Sequence, residues 1–167
     1  MNSNSPTISS SYMGRTVECC PVLSQSLGPP RILVADDDRL LRTLISKVLG
    51  AAGFHMRTVS DGEEAWELIG THHYDMLLTD CQMPRLTGLE LITRIRESGM
   101  TIPIILMSAT VNADWVSKNP RQKISAVIEK PFSAFALADT VRDVLQAGSC
   151  GVSHNHQSVF RPTLTTK

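Results

Sequence analysis

The chain has 167 residues, of which 42% are hydrophobic and 19% are charged, and these values fit one soluble globular domain with short extensions. Its 16 basic and 16 acidic residues cancel to a formal net charge of zero, which argues against the broad basic surface that direct nucleic-acid binding needs. Because no apolar run is long enough to span a bilayer and the N-terminus lacks a signal-peptide pattern, we expect a cytoplasmic protein without membrane contact.

Both ends of the chain are rich in small polar residues and show no apolar periodicity. We therefore expect disordered tails over residues 1–29 and 149–167, with one folded domain over residues 30–148. Too few residues follow that domain to form a folded output module, so the sequence predicts a stand-alone domain.

The predicted domain alternates strands with helices. A continuous apolar run, typical of a strand buried on both faces, occupies residues 32–35. Further strands are predicted over residues 54–59, 76–79, 104–107 and, with a weaker signal, 126–128. Helical spacing of apolar residues fills most of the intervals, over residues 40–49, 61–69, 86–96 and 133–145. Such alternation predicts an α/β fold, a doubly wound five-stranded parallel sheet with helices on both faces.

Polar residues at the predicted helix ends supply candidate caps. We expect Asp38 to cap the first helix, either Ser60 or Asp61 to cap the second, and Ser133 to cap the last. The last helix is expected to turn an apolar stripe that includes Phe135 toward the sheet. The interval over residues 112–125 contains a proline that disfavours a helix, so any helix there is expected to be short, displaced or partly unwound.

Chemically active side chains follow four of the predicted strands. Asp36 and Asp37 follow the first strand, Asp80 the third, Ser108 the fourth and Lys130 the fifth. Because the carboxyl ends of parallel strands share one edge, these groups are expected to converge there. Clustered carboxylates repel unless a cation joins them, and Mg²⁺ prefers such oxygen ligands. A carboxylate can also attack phosphorus to form an aspartyl phosphate, with a lysine neutralising charge.

Four segments carry a joint resemblance to a known family: "ILVADDD", "LLTDCQMPRLTGLEL", "IPIILMSAT" and "IEKPF". In this order they resemble the successive motifs of response regulator receiver domains, over residues 31–147. The resemblance implies a flavodoxin-like receiver fold and a phosphoprotein of a two-component regulatory system. It also implies a phosphoryl donor, either a sensor histidine kinase or a phosphotransfer protein, and signalling through contacts with a downstream protein.

The resemblance also assigns roles to single residues. Asp80 is the implied phosphoryl acceptor, with Ser108 and Lys130 binding the phosphoryl group, and a cis peptide is expected between Lys130 and Pro131. The implied Mg²⁺ ligands are Asp37, Asp80, the backbone carbonyl of Gln82 and, through water, Asp36. Beyond its own phosphorylation and dephosphorylation, no enzyme activity is implied.

Three further positions are expected to modulate the site. Gln82 and Thr110 lie two residues after the acceptor and the hydroxyl residue, where the family tunes the lifetime of the phosphoryl group. Val127 occupies a position that is usually aromatic, and its short, stiff side chain puts the family's usual readout in doubt.

Two other classes of function compete with this interpretation. In a haloacid-dehalogenase-like phosphatase the nucleophile would be Asp36 and the second acid Asp38, but the motif around Asp80 would have no role. A receiver-like interaction module would bind partners without phosphorylation, which the complete acidic site disfavours and Val127 mildly favours.

Overall fold

A computed structural model of the chain describes residues 28–109 and 120–149. Almost all of the two predicted tails, together with residues 110–119, lies outside this part of the chain. The elements follow in the order β1 (Arg31–Ala35), α1 (Arg39–Ala51), β2 (His55–Val59), α2 (Gly62–Thr71), β3 (Met76–Asp80), α3 (Gly88–Glu97), β4 (Ile104–Ser108), β5 (Ala126–Glu129) and α4 (Ala134–Ser149). None of the described helices combines the length and apolarity needed to cross a membrane.

The strands form one parallel sheet in the order β2-β1-β3-β4-β5, which confirms the predicted fold. The chain passes from β2 across β1 to β3, so the strand order reverses between β1 and β3. In open α/β sheets a crevice forms at such a reversal, outside the carboxyl ends of the strands. The loops after β1 and β3 therefore border the place where chemistry is expected.

Two apolar layers enclose the sheet because successive strand residues point to opposite faces. One layer packs against α2 and α3, and its buried strand residues include Leu33, Ala35, Leu77 and Leu106. The other packs against α1 and α4, and its buried strand residues include Ile32, Val34, Leu78 and Met107. Burial on both faces explains why these strands have continuous apolar sequences rather than alternating ones.

The helix caps follow the sequence closely. The side chains of Asp38 and Ser133 accept hydrogen bonds from backbone N–H groups in the first turns of α1 and α4, as predicted. At α2 the cap is Asp61 rather than Ser60. Gly53, with φ of 92°, lies just beyond the end of α1 in a conformation that favours glycine.

The prediction that Phe135 faces the sheet is wrong, because this side chain is 82% exposed. Leu137 and Val141 form the buried stripe of α4, and a residue two positions before Leu137 lies on nearly the opposite face of a helix. On α1, Leu40 and Leu44 are likewise 81% and 52% exposed. The described surface thus carries three large apolar side chains on the two helices of one layer.

Residues 120–125 enter β5 without a full helix. The only regular element described there is a single turn of 3-10 helix, Pro120–Gln122. It includes the proline expected to interrupt a helix, while residues 112–119 of the same interval lie outside the described residues.

Candidate functional site

The carboxyl edge of the sheet gathers the side chains that the sequence singled out. Asp36 and Asp37 lie in the loop after β1, Asp80 ends β3, Ser108 ends β4 and Lys130 directly follows β5. One carboxylate oxygen from each of the three aspartates lies within 4.8 Å of the others. Groups that are far apart in sequence therefore form one acidic cluster with a lysine beside it.

Lys130 bridges two of the three acids. Its Nζ lies 2.8 Å from Oδ2 of Asp36 and 2.9 Å from Oδ1 of Asp80. The Lys130 side chain is only 20% exposed and that of Asp80 13% exposed, so solvent screens these contacts weakly. The peptide between Lys130 and Pro131 is cis, as predicted.

Asp36 is fully buried and both of its carboxylate oxygens have partners. Oδ1 accepts a hydrogen bond of 2.8 Å from the backbone N–H of Asp38, and Oδ2 accepts one from Lys130. Burial raises the pKa of the Asp36 carboxyl above 3.8, although these two hydrogen bonds oppose the shift. Burial also disfavours the charged form of Lys130, but its bonds to Asp36 and Asp80 outweigh that effect and raise its pKa above 10.5.

Asp37 has the opposite environment from its neighbour. Its side chain is exposed, whereas the Asp36 side chain is enclosed by the loop and by Lys130. A cation could therefore bind the Asp37 carboxylate directly. The oxygens of Asp36 already accept hydrogen bonds from the backbone of Asp38 and from Lys130, so they are less accessible to it. Gln82 is exposed and lies in the loop between β3 and α3, two residues after Asp80.

The backbone of Asp80 is in close contact with the start of α3. A Cβ atom on Gly88 would lie 1.8 Å from the carbonyl oxygen of Asp80, so no other residue fits without displacement. The N–H of Gly88 donates to the carbonyl of Cys81 at 3.1 Å, and Thr87 with Glu90 forms a capping box for α3. The glycine of the sequence motif thus lets the helix begin against the backbone of the candidate acceptor.

Ser108 lies on β4, which pairs with the strand of Asp80, and Val127 lies one strand further, on β5. Ser108 is 4% exposed, and its carbonyl accepts a hydrogen bond of 2.7 Å from the backbone N–H of Lys130. Val127 lies on the edge strand β5 and is 36% exposed, so its side chain is directed away from the core. Thr110, the other predicted modulating residue, lies outside the described residues.

Three arginines without a predicted role make structural contacts, two of them near this edge and Arg96 at the opposite end of the sheet, where the chain enters β4 and β5. Arg42 donates to the backbone carbonyl of Asp36, Arg85 pairs with Asp61, and Arg96 donates to four backbone carbonyls. A single arginine on a helix or in a loop has no distinctive spacing, so the sequence offered no signal for these contacts.

Known structures share this architecture. The receiver domain of the Francisella response regulator 1452 is 29% identical, with a TM-score of 0.67, over 71% of this chain and 98% of that one. The response regulator protein TrrA from Thermotoga maritima, solved in complex with Mg²⁺–BeF, is 29% identical with a TM-score of 0.62, over 69% of this chain and 98% of that one.

Curated relatives match the same part of the chain. A 3',5'-cyclic-nucleotide phosphodiesterase, regA of Dictyostelium discoideum, is 38% identical over 123 residues, which is 70% of this chain but 15% of regA. Sensor histidine kinase RcsC of Escherichia coli K12 is 31% identical over 110 residues, 66% of this chain and 12% of RcsC. The chain therefore spans only a small part of the length of these relatives.

The family model of the response regulator receiver domain matches residues 32–142, which is well over half of the chain and runs from the second residue of β1 through β5 into α4. With the parallel five-stranded sheet and the acidic edge, this match assigns the chain to the response regulator receiver domain family.

Proposed function

We propose that residues 30–148 act as the phosphorylated switch of a two-component phosphorelay, with Asp80 as the phosphoryl acceptor. The observation that carries this proposal is the bridging position of Lys130, whose Nζ contacts Oδ1 of Asp80. The carboxylates of Asp36 and Asp37 each have an oxygen within 4.8 Å of an oxygen of Asp80. Receiver domains are signalling modules, so the consequence of phosphorylation is a changed protein contact rather than a released product.

The donor set fits a divalent cation. Three carboxylates share the edge with one lysine, and each uncompensated pair repels by roughly 1 to 4 kcal/mol, depending on the local dielectric. Asp37, Asp80 and the backbone carbonyl of Gln82 would hold Mg²⁺ directly, and Asp36 through water. Bound Mg²⁺ would supply the positive charge that phosphoryl oxygens require. The Mg²⁺–BeF complex of TrrA supports this choice of metal.

Asp80, Lys130 and Ser108 then have different roles in phosphoryl transfer. Because Oδ1 of Asp80 faces Lys130, Oδ2 is the candidate nucleophile. It forms a bond to phosphorus as the bond from phosphorus to the donor histidine nitrogen breaks, and the imidazole leaves with that electron pair. Lys130 neutralises charge on the acceptor side, and the hydroxyl of Ser108 donates to a phosphoryl oxygen.

The same site limits the lifetime of the phosphoryl group. Gln82 and Thr110 have uncharged side chains, so neither supplies a base to activate water. Exchanging either residue is expected to change the rate of dephosphorylation. Val127 replaces the usual aromatic side chain, so the signal to a downstream protein is expected to use a surface other than an aromatic switch on β5.

Exposed apolar side chains favour a protein as the phosphoryl donor. Leu40 and Leu44 lie on α1, and Phe135 lies in the first turn of α4. Both helices cover the same face of the sheet and begin at its acidic edge. Exposed apolar groups next to a reactive site are typical of docking surfaces. A sensor histidine kinase or a phosphotransfer protein is the partner that supplies phosphohistidine to this site.

Phosphorylation by acetyl phosphate with Mg²⁺, followed by trapping of the labelled peptide and mass spectrometry, tests the proposal. We expect the label on Asp80 in the wild type, none in Asp80→Asn, and normal labelling in the capping variant Asp38→Asn. Label on Asp36 would instead support the phosphatase alternative. No labelling of the wild type in the presence of Mg²⁺ would support a non-phosphorylated interaction module.

A further inference from the structure

A buried acid in the turn between β2 and α2 contacts the loop that follows the acceptor. Asp61 is 2% exposed, and its Oδ1 accepts a hydrogen bond of 3.0 Å from the backbone N–H of Glu64 as the cap of α2. Its Oδ2 forms an ion pair with Arg85 in the loop between β3 and α3. Burial disfavours the ionised acid, but the bonds from Arg85 and Glu64 keep the pKa of Asp61 below 3.8.

The backbone at Arg85 is strained. Its φ is 65°, in the left-handed region that residues other than glycine rarely adopt. The N–H of Leu86 donates to the carbonyl of Pro84 at 2.8 Å, which closes a three-residue γ-turn around Arg85. A strained turn persists only where its surroundings hold it, and the described partner of the Arg85 side chain is Asp61.

A second contact joins the same two segments. A Cβ atom on Gly62 would lie 2.3 Å from the carbonyl oxygen of Leu86, so the start of α2 packs directly on the backbone of the turn. Asp61 and Gly62 therefore contact two successive loop residues: Asp61 forms an ion pair with Arg85, and Gly62 packs closely against the backbone of Leu86. We call the ion pair of Asp61 and Arg85 the loop clamp.

The loop clamp fixes the far end of a short loop whose near end is the acceptor. At the near end the N–H of Cys81 donates to the carbonyl of Met107 at 2.9 Å, next to Asp80. In the middle, Met83 is 7% exposed and anchors the loop in the core. Gln82 lies between these anchors, so the orientation of its carbonyl depends on the whole path from Asp80 to Arg85.

We propose that Arg85 is a positioning residue, which holds residues 81–87 in the conformation where the carbonyl of Gln82 and the carboxylate of Asp80 meet one cation. This inference rests on the proposed function, because it assumes that Mg²⁺ binds there. The Arg85 side chain is 63% exposed, so its role is in the loop and not in the apolar core.

Three variants separate the ion pair from the strain. Arg85→Gly removes the charge and relieves the positive φ, Arg85→Ala removes the charge and keeps the strain, and Asp61→Asn keeps the helix cap but loses the ion pair. The matched control is Arg94→Ala. Arg94 on α3 forms an ion pair with Glu63 and contacts the ring of Trp66, both on α2, so this substitution removes contacts between α2 and α3 that lie outside the loop.

The measurements are hydrogen exchange of the amides of residues 82–87 in Mg²⁺-free protein and Mg²⁺ affinity by calorimetry. We expect faster amide exchange in all three variants. We also expect the Kd for Mg²⁺ to rise about tenfold, the lower end of the effect of mutating residues that orient a metal ligand. The double variant Arg85→Gly with Asp61→Asn should be no worse than either single variant, since both remove one interaction. Arg94→Ala should match the wild type in both measurements.

The outcomes distinguish this inference from the proposed function. If the wild type is labelled on Asp80 but Arg85→Gly retains wild-type loop protection and Mg²⁺ affinity, the loop clamp is not a positioning device. If the wild type neither binds Mg²⁺ nor accepts a phosphoryl group, the proposed function fails and the inference fails with it. Rescue of Mg²⁺ affinity by Arg85→Lys, which restores the charge at this position, would support the ion pair as the cause.

Discussion

Nζ of Lys130 lies 2.8 Å from Oδ2 of Asp36, a carboxylate without solvent-exposed surface. A buried pair of this kind gains little over apolar packing, but removing one partner leaves the other charge without compensation. Because Lys130 also binds Oδ1 of Asp80, it connects the loop after β1 with the end of β3. The site is thereby organised around a fixed internal cation before any metal or phosphoryl group arrives.

The first prediction concerns alkaline pH. Hydrogen bonds to Asp36 and Asp80 raise the pKa of Lys130 in the folded protein above its ordinary value of 10.5, in spite of burial. Its stabilising contribution is therefore fully present below about pH 10 and is lost as the pH rises through the higher folded pKa. Urea unfolding of the wild type and Lys130→Met should give a stability difference that shrinks above pH 10.5. A difference that stays constant up to pH 12 would contradict this assignment.

The second prediction concerns stabilisation by Mg²⁺. A ligand that binds only the folded state at a hundred times its Kd raises the free energy of unfolding by about 2.7 kcal/mol. Asp37→Asn should abolish this stabilisation, because Asp37 is the exposed acid of the cluster. Asp38→Asn removes the same charge one residue away and keeps a good helix cap, so it should respond to Mg²⁺ like the wild type. Thermal unfolding with and without Mg²⁺ measures both responses.

The candidate site could be located from sequence because its residues lie at or just after the ends of strands. Once alternating strands and helices indicate a parallel sheet, residues such as Asp80 and Lys130 must share an edge, whatever their distance in the chain. Phe135 was misplaced because an apolar residue was assumed to face the core. The pair of Asp61 and Arg85 joins loops through a single contact with no periodic pattern, so only the three-dimensional structure reveals it.

The third prediction concerns Gly88. Gly88→Ala would place a Cβ atom 1.8 Å from the carbonyl oxygen of Asp80, and the required displacement should destabilise the protein by about 3 kcal/mol. It should also slow labelling by acetyl phosphate, because the displaced backbone is that of the acceptor. Gly70→Ala in α2 meets open space and should stabilise the protein by about 0.5–1 kcal/mol. Equal effects of the two substitutions in chemical unfolding would contradict the close contact.

The fourth prediction concerns the proposed donor surface. Replacing Leu44 and Phe135 by serine should slow phosphoryl transfer from a purified, phosphorylated histidine phosphotransfer domain about tenfold, which corresponds to ~1.4 kcal/mol. Acetyl phosphate needs no docking surface, so its rate of labelling Asp80 serves as the internal control and should not change. Parallel loss with both donors would mean that these side chains support the fold or the site rather than a protein contact.

The last prediction concerns Arg96, whose guanidinium binds backbone carbonyls just before β4 and just before β5. It donates to the carbonyls of Met100, Ile102, Gln122 and Lys123 at 2.8–3.2 Å, and burial without an acidic partner among these contacts lowers its pKa. Arg96→Met keeps the apolar stem but leaves these carbonyls without their donor, which should cost about 3 kcal/mol in the free energy of unfolding.

The matched control for Arg96 is Arg142→Met, which breaks an exposed ion pair with Asp139 within α4 and should cost no more than about 0.5 kcal/mol. Because the segment held by Arg96 leads into β5, and Lys130 follows β5, the Arg96 variant should also label more slowly with acetyl phosphate. If Arg96→Met loses stability but labels at the wild-type rate, the segment before β5 supports the fold without positioning Lys130.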